Sequence, residues 1–492
     1  MKIHKNLLIA FAIMGITFSC FDDADDNSIS ANEINDFVWK GMNAVYLYKE
    51  NKPDLANDRF SNTGEYADYL NSYSTPENLF EDLIYQRESV DRFSWIVDDY
   101  IALEQFFSGV SESNGMEFGL RFIPGSSSAI FGYVRYVLPN TSAASQGVVR
   151  GDVFTAIDGT DLTLDNYQSL LSSDNYTINL GAYDNNGTSE TEDDIVTSGS
   201  ESISLTKDPY TENPIFLTDV LDVDGENVGY LMYNGFTANF DSQLNAAFSN
   251  FLSNNVQHLV LDLRYNPGGS VNTSLLLSSM ITGQFTGEVY STEQWNPELQ
   301  AIFQTQNPES LINRFANNDA GTALSSLNLD RVYILTTGSS ASASELVINS
   351  LNPYIDVVHI GATTTGKYQA SITVYDSENL RREGANPSHA YALQPLVLKS
   401  LNAIGNTDYS DGLVPSILLP EDIGNLGVLG EASEPLLEAA LSHISGSGRI
   451  SSSFLEPIEL VGDSKDFVPH AKEMYIDKKL PTEIIKRKYF NQ

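Results

Sequence analysis

The sequence predicts an α/β protein: a layered βαβ core, preceded by a separate small β domain and an N-terminal helical domain. Three observations carry that expectation. Residues 209–445 alternate short apolar runs with Gly- or Ser-rich turns and helical periods. Residues 117–207 read as short strands broken by Gly-Asp and Asp-Gly turns. Residues 34–112 place apolar side chains at helical spacing. With 492 residues, 41% hydrophobic and 11% aromatic, the chain has material for several cores, which excludes global disorder.

The elements follow in order. Phe37, Met42, Val45 and Tyr46 mark the first helix, and Ser74-Thr75-Pro76-Glu77 is an N-cap with proline at N1 before Leu79, Phe80, Leu83 and Ile84. No catalytic constellation falls here, so a structural or lid role is expected. Next, Phe131 to Val137 is a strand, Pro139 to Ala144 leads into a short helix, and Gly147 to Gly159 supplies a Gly-Asp turn, a strand and an Asp-Gly turn. That order resembles a PDZ domain. The resemblance implies an open sheet edge and a backbone nest able to take an extended peptide and its C-terminal carboxylate. Asp184 to Asp194 reads as a solvated insertion. In the core, Leu221 to Tyr233 is a hairpin turning at Asp224-Gly225 and Phe240 to Leu252 an amphipathic helix. His258 to Leu263, Val332 to Leu335 and Val357 to Ile360 are buried strands. Ser445 to Gly448 is a flexible linker.

Charge and cysteine usage narrow the function. Lys plus Arg number 27 and Asp plus Glu 65, a net charge of −38, which repels phosphate backbones and argues against nucleic acid. The last 28 residues hold 7 of the 27 basic residues, so the tail is read as packing back on the acidic body, with anionic lipid or polymer as the other reading. A single cysteine forms no intrachain disulfide and no thiolate zinc site. The N-terminus shows Lys2 and Lys5, an apolar run from Leu7 to Phe18, and then Ser19-Cys20, which is an export signal too short to span a bilayer. It resembles a bacterial lipoprotein signal with Cys20 as the lipidated residue; an ordinary signal with a chance cysteine is the alternative. Lipidation implies membrane attachment through an acidic tether, in the cell envelope of a Gram-negative bacterium, as an outer-membrane lipoprotein facing the periplasm or the surface. The expected boundaries are 1–19 signal, 20–33 tether, 34–114 helical domain, 115–208 PDZ-like domain, 209–445 core and 446–492 basic extension.

Three stretches carry chemistry. Ser339-Ser-Ala-Ser342-Ala-Ser-Glu345 follows a buried strand and opens a helix, so a serine there sits on a sharp turn at the positive end of the helix dipole. Ser342-x-x-Glu345 is equally a capping box, and alternating serines leave the nucleophile open. Thr365-Gly366-Lys367 follows the next buried strand, with Lys367 lying 25 residues after Ser342, a separation that returns the chain beside the serine. A desolvated lysine has a depressed pKa and serves as a general base; a solvated loop lysine is the plain reading. The string lacks the Ser/Thr of a phosphate loop, since Tyr368 follows. Leu261-Asp-Leu-Arg264-Tyr-Asn-Pro-Gly268-Gly269 ends a strand in a turn whose amides can face an oxyanion, the other donor being Ala343 N–H. Asp262 and Arg264 are expected to pair and hold that turn.

Together, and in this order behind a PDZ-like segment, these stretches resemble the C-terminal-processing, or tail-specific, serine peptidases of family S41, over roughly residues 117–445. The resemblance implies a crotonase-like layered core, with Ser342 as nucleophile and Lys367 as base. Asp91-Arg92-Phe93-Ser94 looks like the family's lead-in to the PDZ. Many members orient the lysine with a glutamine four residues later. Here that position is Ser371, with Gln369 two after the lysine, and either is a candidate for the role. A Ser-His-Asp arrangement has only His389 as a loop histidine near the core; His258 and His359 read as core histidines. No metal or cofactor is implied. The expected function is a serine endopeptidase acting on protein or peptide substrates through an acyl-enzyme. The alternatives are a non-catalytic peptide- or ligand-binding lipoprotein on the same scaffold and, more remotely, a crotonase-like hydrolase of non-peptide acyl groups.

Overall fold

Buried apolar runs punctuated by turns build a central six-stranded sheet. Ile215–Val223 pairs antiparallel with Glu226–Tyr233 about Asp224 and Gly225, whose positive φ values of 53° and 87° suit a two-residue hairpin turn. Glu226–Tyr233 is followed across the sheet by His258–Asp262, Arg331–Thr336, Asp356–Gly361 and Ile417–Leu418, all parallel. Helices Asp241–Ser253, Val271–Thr282 and Ala343–Leu351 fill the connections. Alternate residues enter opposite cores. Leu259, Leu261 and Ile334 pack with Leu346 and Val347 on one face, while Val260, Tyr333 and Leu335 pack with Leu436, Leu437 and Ala440 of helix Pro435–Ile444 on the other. Burial on both faces explains why these strands read as continuous apolar runs rather than alternating ones. The Gly-Gly, serine and lysine loops all leave carboxyl ends of neighbouring parallel strands, so topology alone brings them to one edge.

In this computed structural model the described residues are 31–446 apart from 189 and 408, then 460–467, 472–482 and 484. The signal segment, Cys20 and His470 lie outside them. Among the described residues no helix is long and apolar enough to cross a membrane.

The N-terminal region is helical as expected, with Ala31–Val45 packed on Thr63–Asn71 and Pro76–Leu83. Asn62 and Thr75 cap the latter two, accepting from Glu65 N–H and Asn78 N–H. Strand Trp95–Val97 then pairs with Ala392–Gln394 of the core.

The middle sheet runs Leu460–Asp463, Met116–Phe122, Ile130–Val137, Val153–Ile157, Asn175–Asp184, Ile195–Thr206. This corrects one expectation. The edge beside Met116–Phe122 is not open, because Leu460–Asp463 from the chain's own C-terminal segment is paired antiparallel on it. That segment is no separate extension. Its next described strand, Met474–Tyr475, lies inside a second six-stranded sheet, between Gly269–Ser270 and Gln369–Ser371. Its basic residues meet acidic ones of the body: Lys465 lies 3.4 Å from Glu117 and 3.0 Å from Glu212, and Lys478 pairs with Glu293.

His359 lies in the parallel strand Asp356–Gly361 as a core histidine, its Nε2 2.6 Å from Thr336 Oγ1. Burial pushes its pKa down to about 4. The unfolded chain therefore takes up this proton first. Stability is full above about pH 6.5 and falls as pH drops from there toward about 4, by ~3 kcal/mol from this group. Denaturant midpoints measured stepwise over that window should slope upward with pH, and His359→Gln should flatten the slope.

Candidate active site

The serines of the loop differ in what their hydroxyls do. Ser339 Oγ donates to Asp463 Oδ2 at 2.5 Å, Ser340 Oγ to Leu263 O at 2.8 Å, and Ser344 Oγ to Asn266 O at 3.0 Å. Ser342 Oγ, fully buried, has no hydrogen-bond partner. Three serines thus hold the loop and one is unspent. Ser342 also has φ +65° and ψ −114°, a strained turn directly before helix Ala343–Leu351. Ala343 N–H is the first amide of that helix, one of the four that a helix leaves without an internal partner.

Glu345, read from sequence as half of a capping box, does more. Ser342 N–H donates to Glu345 Oε2 at 2.7 Å. The same oxygen accepts Lys367 N–H at 2.8 Å. The other oxygen accepts Thr364 Oγ1 at 2.5 Å and Gly366 N–H at 2.6 Å. One buried carboxylate thus ties the serine and lysine loops together. Burial raises its pKa, and these four donors oppose that rise.

Lys367 is fully buried. Burial lowers its pKa, with Glu473 pulling the other way. Its Nζ donates to Lys472 O at 2.6 Å, lies 3.3 Å from Glu473 Oε1, and sits 4.9 Å from the centre of the Phe93 ring. The solvated-loop reading of this lysine is therefore excluded. The N-terminal region joins the site here: Arg92 donates to Thr365 O and Gly366 O at 3.3 and 3.2 Å, closing the lysine loop from outside.

Neither candidate for orienting the lysine touches its Nζ. Gln369 Nε2 donates to Tyr48 OH at 3.0 Å, because its strand points that side chain away from the lysine. Ser371 Oγ donates to Glu473 Oε2 at 2.6 Å. Sequence reasoning missed Glu473 because it directly precedes a two-residue strand far downstream, Met474–Tyr475, with no local signature.

The Gly-Gly loop is held by Asn266, whose Nδ2 donates to Tyr233 O at 2.8 Å and whose main-chain O accepts Ala341 N–H at 3.1 Å. Gly268 N–H donates to Asn266 Oδ1 at 2.9 Å, so that amide is already engaged, a correction to its expected part as an oxyanion donor. Gly269 stands opposite Met474. Gly268 has φ +116°, and a Cβ there would lie 2.6 Å from Ser342 Cβ and 2.7 Å from Glu473 O. Only glycine lets loop, serine and tail approach this closely. Asp262 and Arg264 pair as expected, at 2.7 Å, and Arg264 further meets Glu434 at 2.6 Å and Glu421 at 3.2 Å.

A cleft opens beside this loop, lined by Phe107, Leu138, Asn234, Phe236, Gly268 and Tyr475 among others. Asn234 is 3% exposed, and both its Oδ1 and Nδ2 lack hydrogen-bond partners. The histidines are elsewhere engaged: His258 with Glu226 at 2.7 Å, and His389 with Asp376 at 3.2 Å. Among the described residues no group of three or more His, Cys, Asp or Glu is arranged to hold a metal.

Residues 227–381 match the family model for peptidase family S41, and residues 33–95 that for the peptidase S41 N-terminal domain. A carboxyl-terminal-processing protease of Picosynechococcus is 26% identical over 231 residues, 47% of this chain and 49% of that protein. A carboxy-terminal-processing protease of Bartonella bacilliformis is 27% identical over 258 residues, 49% of this chain and 50% of that protein. The chain thus spans about half the length of the curated relatives it matches. A crystal structure of a Bacteroides fragilis protein assigned to the S41 proteases superposes with a TM-score of 0.62 at 24% identity, over 83% of this chain and 97% of that one, and shares the fold. The two family segments fall on the N-terminal helices and on the strands that carry the glycine, serine and lysine loops, and over those segments the chain is similar to peptidase family S41.

Proposed function

We propose that the chain is a serine endopeptidase that hydrolyses peptide bonds through a Ser342–Lys367 dyad and an acyl-enzyme. The observation that carries this reading is the Glu345 clamp, which holds an unpartnered, strained, buried serine and a buried lysine by their own amides. In the reaction Ser342 Oγ attacks the carbonyl carbon and Lys367 Nζ takes its proton. Ala343 N–H stabilises the oxyanion; a second donor from Gly269 requires its pairing with Met474 to open. Collapse breaks the C–N bond, the lysine returns the proton to the leaving amine, and water then hydrolyses the ester by the same route. Nζ and Oγ are not hydrogen-bonded at rest, so they must close up for transfer.

The substrates proposed are extended or C-terminal peptide segments. The middle β domain, with its PDZ-like element order, would capture them by strand addition, which at the Met116–Phe122 edge displaces Leu460–Asp463. Lipidation at Cys20 would hold the enzyme in the cell envelope. Incubating purified protein with disordered peptides of varied C-termini and reading products by mass spectrometry tests the activity. The resting separation of Oγ and Nζ favours a second reading, a non-catalytic binder, and capture of intact peptide without products would establish it.

The cleft beside the Gly-Gly loop is the proposed seat of the peptide, with Asn234 offering one donor and one acceptor to its backbone. Two buried unsatisfied atoms lower stability, by ~1–3 kcal/mol for each such group. Asn234→Leu should therefore leave the melting temperature equal or higher while lowering kcat/KM by roughly tenfold. A lower melting temperature with unchanged kcat/KM would assign Asn234 to structure instead.

A further inference from the structure

We infer that Glu473, delivered by the strand Met474–Tyr475 and the residues leading into it, is the positioning residue for Lys367. The inference rests on the Ser342–Lys367 reading and adds to it the C-terminal segment as part of the catalytic machinery.

A lysine that acts as base must be neutral, and a neutral amine has two N–H donors and one lone pair. Two consecutive tail residues supply acceptors for those donors: Lys472 O at 2.6 Å and Glu473 Oε1 at 3.3 Å. With both N–H groups committed, the lone pair faces the remaining direction. Ser342 Oγ, buried and unpartnered, is the hydroxyl proposed to meet that lone pair. Glu473 itself is fixed from two further elements. Oε1 accepts Trp95 Nε1–H at 2.5 Å and Oε2 accepts Ser371 Oγ–H at 2.6 Å. Gln394 Nε2 donates to Ser371 Oγ at 2.9 Å and holds that hydroxyl in turn. The backbone is locked by Met474 opposite Gly269 and by Tyr475 opposite both Ser270 and Ser371.

Three carboxylates act on Lys367: Glu473 from the tail, Asp91 from the segment before Trp95–Val97, and Glu345 from the serine helix. Asp91 is engaged by Tyr46 OH at 2.6 Å and Ser94 Oγ at 2.6 Å, and Glu345 by its four donors. Glu473 is the one in contact with Nζ. It therefore stabilises the ammonium that forms when the serine proton is taken, at the cost of holding the resting lysine protonated to higher pH.

The test uses the full chain and two variants. Its readouts are the pH dependence of Ser342 acylation by a fluorophosphonate and kcat and KM on a peptide that wild type cleaves. Glu473→Gln keeps the shape, and Ser371 Oγ–H can turn to Met474 O, 3.2 Å away. Loss of the negative charge lowers the lysine's pKa, so the acid limb should move to lower pH by about 1–3 units. Glu473→Ala should lower the plateau kcat by roughly tenfold or more with KM unchanged, the mark of an interaction made in the transition state. If the alanine variant fails to fold, the glutamine limb alone decides. An acid limb in Glu473→Gln that coincides with wild type would overturn the inference and leave the dyad standing. Absence of acylation in wild type would overturn the dyad and the inference together.

Discussion

Ser342→Ala should lower kcat for peptide cleavage by roughly 10⁴–10⁶-fold while the protein stays fully folded. Both halves follow from one fact. The Oγ makes no hydrogen bond, so its removal breaks nothing in the resting protein. Alanine adopts φ +65° no less readily than serine, so the strain at this turn is unchanged. Deleting a buried unsatisfied hydroxyl should if anything raise stability, by about 1 kcal/mol. A serine that merely capped the helix would behave oppositely, costing ~1 kcal/mol on truncation and leaving catalysis untouched. Thermal melts and cleavage rates on the same preparation separate the two cases.

Arg264→Leu should destabilise the fold by about 3–5 kcal/mol, the largest stability effect expected of any single change near the site. The guanidinium is completely buried and meets Asp262, Glu421 and Glu434, all within 3.2 Å. Leucine fills much of the space but leaves three carboxylates buried against one another. Glu421 shows the stakes: burial pushes its pKa up, yet Arg150 and Arg264 outweigh burial and hold it at about 2. Its folded value lies below its unfolded one. Its stabilising share is therefore present above the ordinary carboxylate range and disappears as pH falls through about 2. In Arg264→Leu that depression weakens, so the deficit against wild type should be greatest at neutral pH and shrink on acidification. Denaturant unfolding at several pH values checks the size and the trend. The main-chain O of residue 264, which accepts the Thr337 hydroxyl and ties the Gly-Gly loop to the serine loop, is kept in the variant, so activity should fall only as far as loss of the buried cluster shifts that loop.

The parts of this architecture that local chemistry specifies were legible in the sequence. His258–Asp262 and Arg331–Thr336 announce themselves as apolar runs because both their faces are covered. The hairpin at Asp224-Gly225 is written in two residues that accept positive φ. The serine and lysine loops, 25 residues apart, were brought together by the βαβ connection that the pattern implied. What stayed hidden depends on contacts between distant segments. Glu345 looks like a cap until the lysine loop arrives on its other side. Phe93 and Trp95 lie in and beside a segment read only as a lead-in to the PDZ-like domain, and touch Lys367 and Glu473 only after the N-terminal helices dock. The C-terminal segment reads as a basic tail by composition. Its short strands carry too few residues to show a period, so nothing local foretells that Leu460–Asp463 closes one sheet edge and Met474–Tyr475 enters another sheet. Serine choice shows the same division. Composition left the alternating serines in play, and the structure leaves one hydroxyl of that loop unspent.

Ser342 is the proposed nucleophile and Lys367 its proposed base. The most direct test is to treat the folded chain with a fluorophosphonate and locate the adduct by peptide mapping. One adduct is expected, on Ser342, absent from Ser342→Ala and formed far more slowly in Lys367→Met. An adduct on another serine, or undiminished peptide cleavage by purified Ser342→Ala, would contradict it.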